Sequence, residues 1–310
     1  MPVHTHPMTR ISTDGQVRVM GNRPKMVQVD LSGNVCIVTG ANTGIGRITA
    51  LELAKAGAHV FLASRSASKT LPVVREIRAE CGHDDVEFLQ LDLARFEVIR
   101  TAAQTFLDRE LPLHILVNNA GLAGVRGLTP EGFEMAFGVN HLGHFLWTLL
   151  LLDRLKASAP ARIVNVSSRA HLRAKRLDYK AVRRPTKTYV GMREYEVSKL
   201  ANVLFTVELS RRLEGTEVNT YSLHPGVIAS DIWRRLPWPL RSMATHFMQS
   251  NEEGAKTSLY CATAPELAYE TGYYYDEHSR RKLPNPLAED DTCLAELWRR
   301  SLEWTDAPDA

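Results

Sequence analysis

The chain has 310 residues, 44% of them hydrophobic and 24% charged, which is enough to bury a substantial core in one large domain or two smaller ones. Its formal net charge of +3 is small, and no nucleic-acid recognition motif accompanies it, so we expect no nucleic-acid partner. The four cysteines lie far apart and Asp153 interrupts the longest apolar stretch, so we expect reduced thiols, a cytoplasmic location and no transmembrane segment.

Residues 1–30 form a polar extension without the apolar core of a signal peptide. Its His4 and His6 are predicted to lie in a disordered tail, so we expect no metal site. Residues 31–310 are predicted to form a single domain. Six apolar, β-branched runs follow one another at intervals long enough for crossover helices: NVCIVTG, HVFLASR, VEFLQLDL, LHILVNNAG, ARIVNVSS and VNTYSLHPG. A helical stretch from about residue 252 to 264 precedes a last strand-like run, TGYYYDE. This pattern predicts an α/β fold with a doubly wound parallel sheet of the Rossmann type.

The turn after the first strand is rich in glycine and reads TGANTGIGR, from Thr39 to Arg47. Gly40 permits a tight turn, Gly44 lets the backbone approach a pyrophosphate, and Gly46 lets the helix pack near the strand. The N-terminus of that helix would direct unpaired N–H groups at the phosphates. Because the turn lies between a buried strand and an amphipathic helix, it predicts a dinucleotide site.

The residues after the second strand indicate which dinucleotide binds. An NAD site places a carboxylate there, and that group would repel a 2′-phosphate. This chain has Ser64 and Arg65 instead, and Arg47 adds a second cation at the glycine turn. Two guanidinium groups suit a phosphate, so the sequence favours NADP. The alternative is that both arginines are solvated loop residues.

Tyr195 and Lys199 are four residues apart in REYEVSKLAN, so a helix would place them on one face. Such pairs are common on solvated helices. This pair can be catalytic only if the pKa of the Tyr195 phenol is lowered enough. Bringing a phenol near neutrality takes about 4 kcal/mol. An ammonium about 4 Å away at an effective dielectric of about 20 supplies that amount, so the lysine is sufficient in magnitude to acidify the tyrosine, provided that the site is partly shielded from water.

Taken in order, TGANTGIG, LDL, NNAG, VNHLGHF, NVSS, YEVSK and HPG resemble the short-chain dehydrogenase/reductase family over roughly residues 33–280. The motifs SKLANVLF and LHPGV are most similar to its retinol dehydrogenase-like branch. The resemblance implies that Tyr195 exchanges a proton with the substrate oxygen and that Lys199 lowers its pKa and holds the nicotinamide ribose. It also implies that Ser168 hydrogen-bonds the substrate oxygen and that Asn140 holds a relay water. Ser167 is interpreted as structural, and the nearby His141 and His144 as packing or surface residues.

The same resemblance places Asp92 at the adenine, residues 119–121 at the adenosine ribose, and residues 225–230 at the nicotinamide. The residues expected to contact the cofactor are Gly40, Asn42, Thr43, Gly44, Ile45, Gly46, Arg47, Arg65, Asp92, Leu93, Asn119, Ala120, Gly121, Tyr195, Lys199, Pro225, Gly226, Val227, Ile228 and Ser230.

Two stretches depart from the regular alternation. The insert at residues 169–194 is dense in Arg and Lys, which suits a solvated loop, an anionic substrate group or an acidic membrane surface. Residues 230–250 combine tryptophan, proline and apolar side chains, which suits a lid over a bulky apolar substrate. That segment also suits a contact between two copies of the chain or a helix resting on a membrane.

Three functions compete on these observations. The first is an NADP(H)-dependent oxidoreductase, such as a carbonyl reductase, that interconverts a small apolar aldehyde or ketone and its alcohol. The second is a dinucleotide-binding regulatory or scaffold protein, which the intact Ser168, Tyr195, Lys199 and Asn140 disfavour. The third, an isomerase or dehydratase acting on a nucleotide sugar, is disfavoured by the TGxxxGxG spacing and the modest C-terminal segment.

Overall fold

A computed structural model describes Met26, Val27 and residues 29–226 and 250–310. In these residues eight strands form one sheet, in the order β3-β2-β1-β4-β5-β6-β7-β8. All neighbours are parallel except β7 and β8. The strands are β1 (Val35–Thr39), β2 (His59–Ser64), β3 (Val86–Gln90), β4 (Ile115–Asn118), β5 (Ala161–Val166), β6 (Val218–Leu223), β7 (Tyr274–Tyr275) and β8 (Arg281–Lys282). The predicted single-domain α/β fold with a doubly wound sheet is confirmed.

Helices cover both faces of the sheet. They are α1 (Gly44–Lys55), α2 (Ala67–Cys81), α3 (Phe96–Leu107), α4 (Met135–Ala157), α5 (Met192–Arg212), α6 (Asn251–Thr263) and α7 (Asp291–Thr305). Successive β1 side chains enter different cores, because strand side chains alternate between faces. Cys36 and Val38 pack with α1, α2 and α6, whereas Val35 and Ile37 pack with α3, α4, α5 and α7.

The strand order reverses beside β1, since β2 and β3 lie on one side of it and β4 on the other. A ligand crevice opens at the carboxyl ends of the strands at such a reversal. Thr39 ends β1 there, and its hydroxyl oxygen accepts hydrogen bonds from the backbone N–H groups of Asn119 and Ala120, each at 2.9 Å. The same oxygen lies 2.9 Å from Nε2 of His144. One threonine therefore joins the first strand, the loop after β4 and helix α4.

Helix α4 is long and apolar enough to span a membrane, with a mean hydropathy of 1.3, but 89% of that stretch is buried inside the protein. In the fold it is a core helix. Its residues Gly138–Leu142 form a π-helical turn. A Cβ on Gly143 would lie 2.4 Å from the carbonyl oxygen of Leu93, so the glycine lets α4 press against the loop after β3.

Several boundaries differ from the sequence predictions. Val27 is 4% exposed and packs in the core, so the last part of the predicted extension belongs to the domain. The insert contains two 3₁₀ helices, Arg169–Arg173 and Ala181–Arg183, and ends at Gly191 because α5 begins at Met192. Apart from Ser250, the predicted lid lies outside the described residues.

Candidate active site

Tyr195 and Lys199 lie one turn apart on α5, and Nζ of Lys199 is 5.8 Å from the centre of the Tyr195 ring. Ser168 follows the carboxyl end of β5, and its side chain lies near the Tyr195 phenol, where it acts to lower the pKa of that phenol. The structure therefore brings together the three side chains that the sequence singled out. They lie at the end of the sheet where the glycine turn also lies.

Asn140 is fully buried in the π-helical turn of α4. Its Oδ1 accepts a hydrogen bond from the Leu122 N–H at 2.9 Å, and its Nδ2 donates to the Leu122 carbonyl and to Oγ of Ser198. A Cβ on Gly121 would lie 3.3 Å from Nζ of Lys199 and 3.6 Å from Oδ1 of Asn140. The loop after β4 thus meets α5 and α4 at a glycine. π-Helical turns such as the one that holds Asn140 frequently mark functional sites.

Lys199 is only 3% exposed, and its ammonium donates a hydrogen bond to the Val166 carbonyl oxygen at 2.8 Å. Among the described residues no carboxylate lies within 4.0 Å of it. Burial without a counter-ion disfavours the charged form, and it lowers the pKa of Lys199 from 10.5 to about 7. The pKa of Lys199 therefore lies near neutral pH.

The acidity of Tyr195 differs from the sequence prediction. Burial raises its pKa above the ordinary value, and the nearby Ser168 opposes that rise. The Lys199 ammonium lies 5.8 Å from the centre of the Tyr195 ring and donates to the Val166 carbonyl. In the ligand-free protein Tyr195 is consequently a neutral phenol at pH 7.

The two adjacent serines point to different partners, as strand alternation predicts. Oγ of Ser167 is buried and donates to the Lys199 carbonyl oxygen at 2.7 Å, which fixes the helix against β5. Oγ of Ser168 accepts from the Ala170 N–H at 3.2 Å and meets Tyr195. Only Ser168 is placed to reach a substrate oxygen beside the phenol.

The glycine turn is shaped by close packing. Gly40 has a φ of +67°, and a Cβ there would lie 2.9 Å from Cα of Ala120. A Cβ on Gly46 would lie 2.4 Å from Nδ2 of Asn119 and 2.6 Å from the Gly40 carbonyl oxygen. No side chain fits at either position, so the start of α1 can lie directly against the loop after β4.

A buried side-chain oxygen, that of Asn251, lies near the start of α1. Oδ1 of Asn251 has no hydrogen-bond partner among the described residues, and a Cβ on Gly44 would lie 3.7 Å from it. The first N–H groups of α1, including those of Ile45 and Gly46, emerge from this turn after Asn42 and Thr43. Helix N–H groups and an unpaired amide side chain suit a pyrophosphate, so these residues fit a dinucleotide.

The adenine end shows one difference from the sequence prediction. Arg65 is exposed beyond β2, as an unpaired phosphate ligand should be, and Asp92 is half-buried beyond β3. Nη2 of Arg47, however, lies 2.8 Å from Oε2 of Glu76 on α2. Glu76 therefore competes with any phosphate for Arg47. The Asn119 amide donates to the Thr39 carbonyl at 2.8 Å, so it shapes the turn.

Leu93 is buried and contacts α4. Pro225 and Gly226 follow β6, whereas Val227, Ile228 and Ser230 lie outside the described residues. In the part of the chain that the structure describes, no group of three or more His, Cys, Asp or Glu side chains could hold a metal ion.

Sequence reasoning missed the roles of two histidines. His144 is buried, and its ring contacts both the Thr39 hydroxyl and the Asn140 carbonyl oxygen. Burial lowers its pKa to about 4, so the imidazole is uncharged at pH 7. Its two contacts connect the glycine turn to α4. His224 is 4% exposed, with no hydrogen-bond partner for either nitrogen in the described residues. The only sequence signal was its place in LHPG beside the active site.

A doubly wound sheet with a glycine-rich phosphate turn and a Ser-Tyr-Lys set at its strand ends defines a dinucleotide-dependent dehydrogenase or reductase. The family model described as short chain dehydrogenase matches residues 34–238, and the chain belongs to this family. Retinol dehydrogenase 12 of Mus musculus is 45% identical over 281 residues, which are 89% of this chain and 87% of that protein. The chain is thus a retinol dehydrogenase-like member.

Solved structures share the fold. The crystal structure of an uncharacterized protein from Mycobacterium paratuberculosis has a TM-score of 0.72 and 32% identity, and the match covers 90% of this chain and 96% of that one. The active-site complex of Pseudomonas aeruginosa RhlG with NADP has a TM-score of 0.63 and 27% identity, covering 82% and 97% of the two chains. Members of this family bind a nicotinamide dinucleotide.

Proposed function

We propose that the protein is an NADP(H)-dependent oxidoreductase that interconverts an apolar aldehyde or ketone and its alcohol, with Tyr195 as the acid and base. The observation that carries the proposal is the meeting of Ser168 and Tyr195 with buried Lys199, beside Gly121 of the loop that packs on the glycine turn. A phosphate turn and a proton donor thus share one crevice.

The neutral phenol favours the reducing direction. Because burial raises the pKa of Tyr195, its hydroxyl keeps the proton that a carbonyl oxygen needs when it becomes an alcohol. Ser168 donates a hydrogen bond to the same oxygen and stabilises the charge that develops on it. The dinucleotide, when bound, supplies the hydride. Lys199 and Asn140 both lie beside Gly121, where they would hold the proton path behind the phenol.

Two features support NADP as the cofactor. Ser64, in the place where an NAD site has a carboxylate, is buried and neutral, and the next residue, Arg65, is exposed beyond β2. Arg47 lies at the glycine turn, and a 2′-phosphate would have to displace Glu76 from it. An exposed ion pair of this kind is worth under about 1 kcal/mol, so a phosphate can displace the carboxylate.

The substrate class rests on similarity and on chemistry. The name of the 45% identical relative, retinol dehydrogenase 12, indicates that an apolar alcohol or aldehyde suits this branch of the family. For location we propose the cytoplasm, which the four free cysteines support because thiols stay reduced there.

The decisive test is Tyr195→Phe, assayed by NADPH oxidation against a panel of aldehydes, ketones, retinals and quinones. Turnover should be lost while NADPH still binds, as measured by fluorescence titration. Tyr189→Phe is the matched control, since Tyr189 is 88% exposed and should keep the wild-type rate. If Tyr195→Phe turned over at the wild-type rate, the acid assignment would be wrong.

The adjacent serines allow a second comparison. Ser168→Ala should lower kcat by about 10²-fold, as removal of one donor to an oxyanion does. Ser167→Ala should lower stability by about 1 kcal/mol through its lost hydrogen bond to Lys199 and change kcat far less. Equal losses of kcat in the two variants would contradict the assignment of Ser168.

Cofactor preference is tested with Arg65→Asp, which places a carboxylate where a 2′-phosphate would lie. The ratio of kcat/KM for NADPH to that for NADH should fall by at least about tenfold. An unchanged ratio would show that the 2′-phosphate is not bound at Arg65.

A further inference from the structure

The insert between β5 and α5 encloses a cavity of about 870 Å³, within the size range of small-molecule sites. Its walls come from residues 173–188 of the insert, from the first turns of α5 and from the start of α4. Glu194 and Glu196 line it, whereas Ser168, Tyr195 and Lys199 do not. The cavity is therefore distinct from the catalytic crevice although both use the same turn of α5.

The floor of the cavity is apolar. Phe137, Ala174 and Val182 line it and are buried in an apolar cluster between the insert, α4 and α5. Val197 packs against the same cluster. An occupant would therefore meet hydrocarbon at its inner end.

Two carboxylates at the wall, Glu194 and the buried Glu134, are already bonded. Glu194 accepts hydrogen bonds from the backbone N–H groups of Lys187 and Thr188, each at 3.0 Å. Glu134 accepts from the Thr186 hydroxyl at 2.5 Å and the Phe137 N–H at 3.0 Å, and burial raises its pKa. These bonds fasten the insert. Burial raises the pKa of Glu194 but its hydrogen bonds from Thr188 and Lys187 lower it by more, so Glu194 is ionised. Six cationic side chains line the cavity against four carboxylates, so the lining still has a net positive charge.

The rim of the cavity is cationic. Asp178 accepts from the Lys180 and Ala181 N–H groups at 3.0 Å each, and Glu196 lies 3.8 Å from Arg173. Five other cations line the cavity with no carboxylate within 4.0 Å in the part of the chain that the structure describes: Lys175, Arg176, Arg184, Lys187 and Arg193. Like charges around one concavity attract an anion into it.

Other basic residues of the insert have different roles. Arg183 stacks on the Phe133 ring at 4.2 Å and donates to the Glu131 carbonyl. Arg169 pairs with Glu277 at 3.7 Å. The basic insert is therefore not a uniform solvated loop, because its unpaired cations converge on the cavity.

We propose that this cavity binds an amphipathic organic anion, a phosphate monoester or carboxylate joined to an aliphatic body. The anionic head meets the guanidinium groups of Arg176 and Arg184, and the aliphatic body lies on the floor around Phe137 and Val182. A small molecule fits better than a lipid surface, because the cations surround a concave volume with an apolar floor. The site goes beyond the proposed oxidoreductase reaction and does not depend on it.

Isothermal titration calorimetry of the full chain with decyl phosphate tests the proposal. Decanol and inorganic phosphate, each lacking one half of the ligand, should bind at least about tenfold more weakly. The variant Arg176→Gln/Arg184→Gln/Lys187→Gln should lose at least about tenfold in affinity for decyl phosphate. The matched control Lys156→Gln/Lys256→Gln/Lys282→Gln removes the same charge outside the cavity and should stay within about twofold.

Three results would overturn the site. Wild-type affinity for decyl phosphate equal to that for decanol would show that no anion subsite exists. Equal losses in the two triple variants would indicate long-range attraction without a site. Binding to phosphatidylserine vesicles, lost in the cavity variant, with no binding of decyl phosphate would assign the insert to a membrane surface.

Discussion

The burial of Lys199 makes the stability of the ligand-free protein depend on pH. Its pKa falls from 10.5 to about 7 because burial disfavours the ammonium. Between these two values the unfolded chain holds a proton that the folded protein lacks, so the free energy of unfolding rises with pH. From pH 7 to pH 9 this shift of the pKa corresponds to an increase of about 2 kcal/mol.

Lys199→Met removes the titrating amine and keeps an unbranched apolar side chain as far as Cε. Urea unfolding of the wild type and the variant at pH 7, 8 and 9 gives the two stabilities, and their difference should change by about 2 kcal/mol in favour of the wild type. Lys156→Met, which alters a lysine at the end of α4, should follow the wild type at every pH. Parallel curves for the wild type and Lys199→Met would refute the reasoning.

Three further predictions concern the cofactor site and the core. Glu76→Gln removes the carboxylate that pairs with Arg47, so NADPH should bind more tightly with NADH unchanged in fluorescence titrations; equal effects on both would contradict a phosphate role for Arg47. Gly46→Ala brings a Cβ within 2.6 Å of a carbonyl oxygen and should weaken binding of either dinucleotide by at least about tenfold; retained affinity would place the cofactor elsewhere. Burial lowers the pKa of His141 to about 3 and of His144 to about 4, so stability should fall as pH drops from 6.5 toward 4; urea midpoints that stay constant between pH 7 and pH 5 would count against this.

The sequence predicted the sheet well because its parallel strands are buried on both faces and appear as continuous apolar runs. It missed β8, since Arg281 and Lys282 are exposed and two residues carry no periodic pattern. It also gave no account of α7, whose Trp298 stacks on Phe205 of α5. That helix is specified by packing against distant residues, which a local pattern does not reveal.

The site was predictable where local spacing fixes neighbours. Residues 195 and 199 share a helix face for that reason. Strand alternation places Ser167 and Ser168 on opposite sides, and the family resemblance selects Ser168. The acidity of Tyr195 was not predictable, because it depends on how deeply α5 is buried and where the Lys199 ammonium points. The ion pair between Arg47 and Glu76 likewise depends on how α1 and α2 lie side by side, which the spacing of the two residues along the chain does not determine.

Thr39 has a consequence for engineering this enzyme. Its single hydroxyl holds the loop that packs on the phosphate turn, and through His144 it also reaches the carbonyl of Asn140. A substitution at Glu76 would alter the surroundings of Arg47 without changing a contact of Tyr195. A change at Thr39 should instead disturb nucleotide affinity and turnover together.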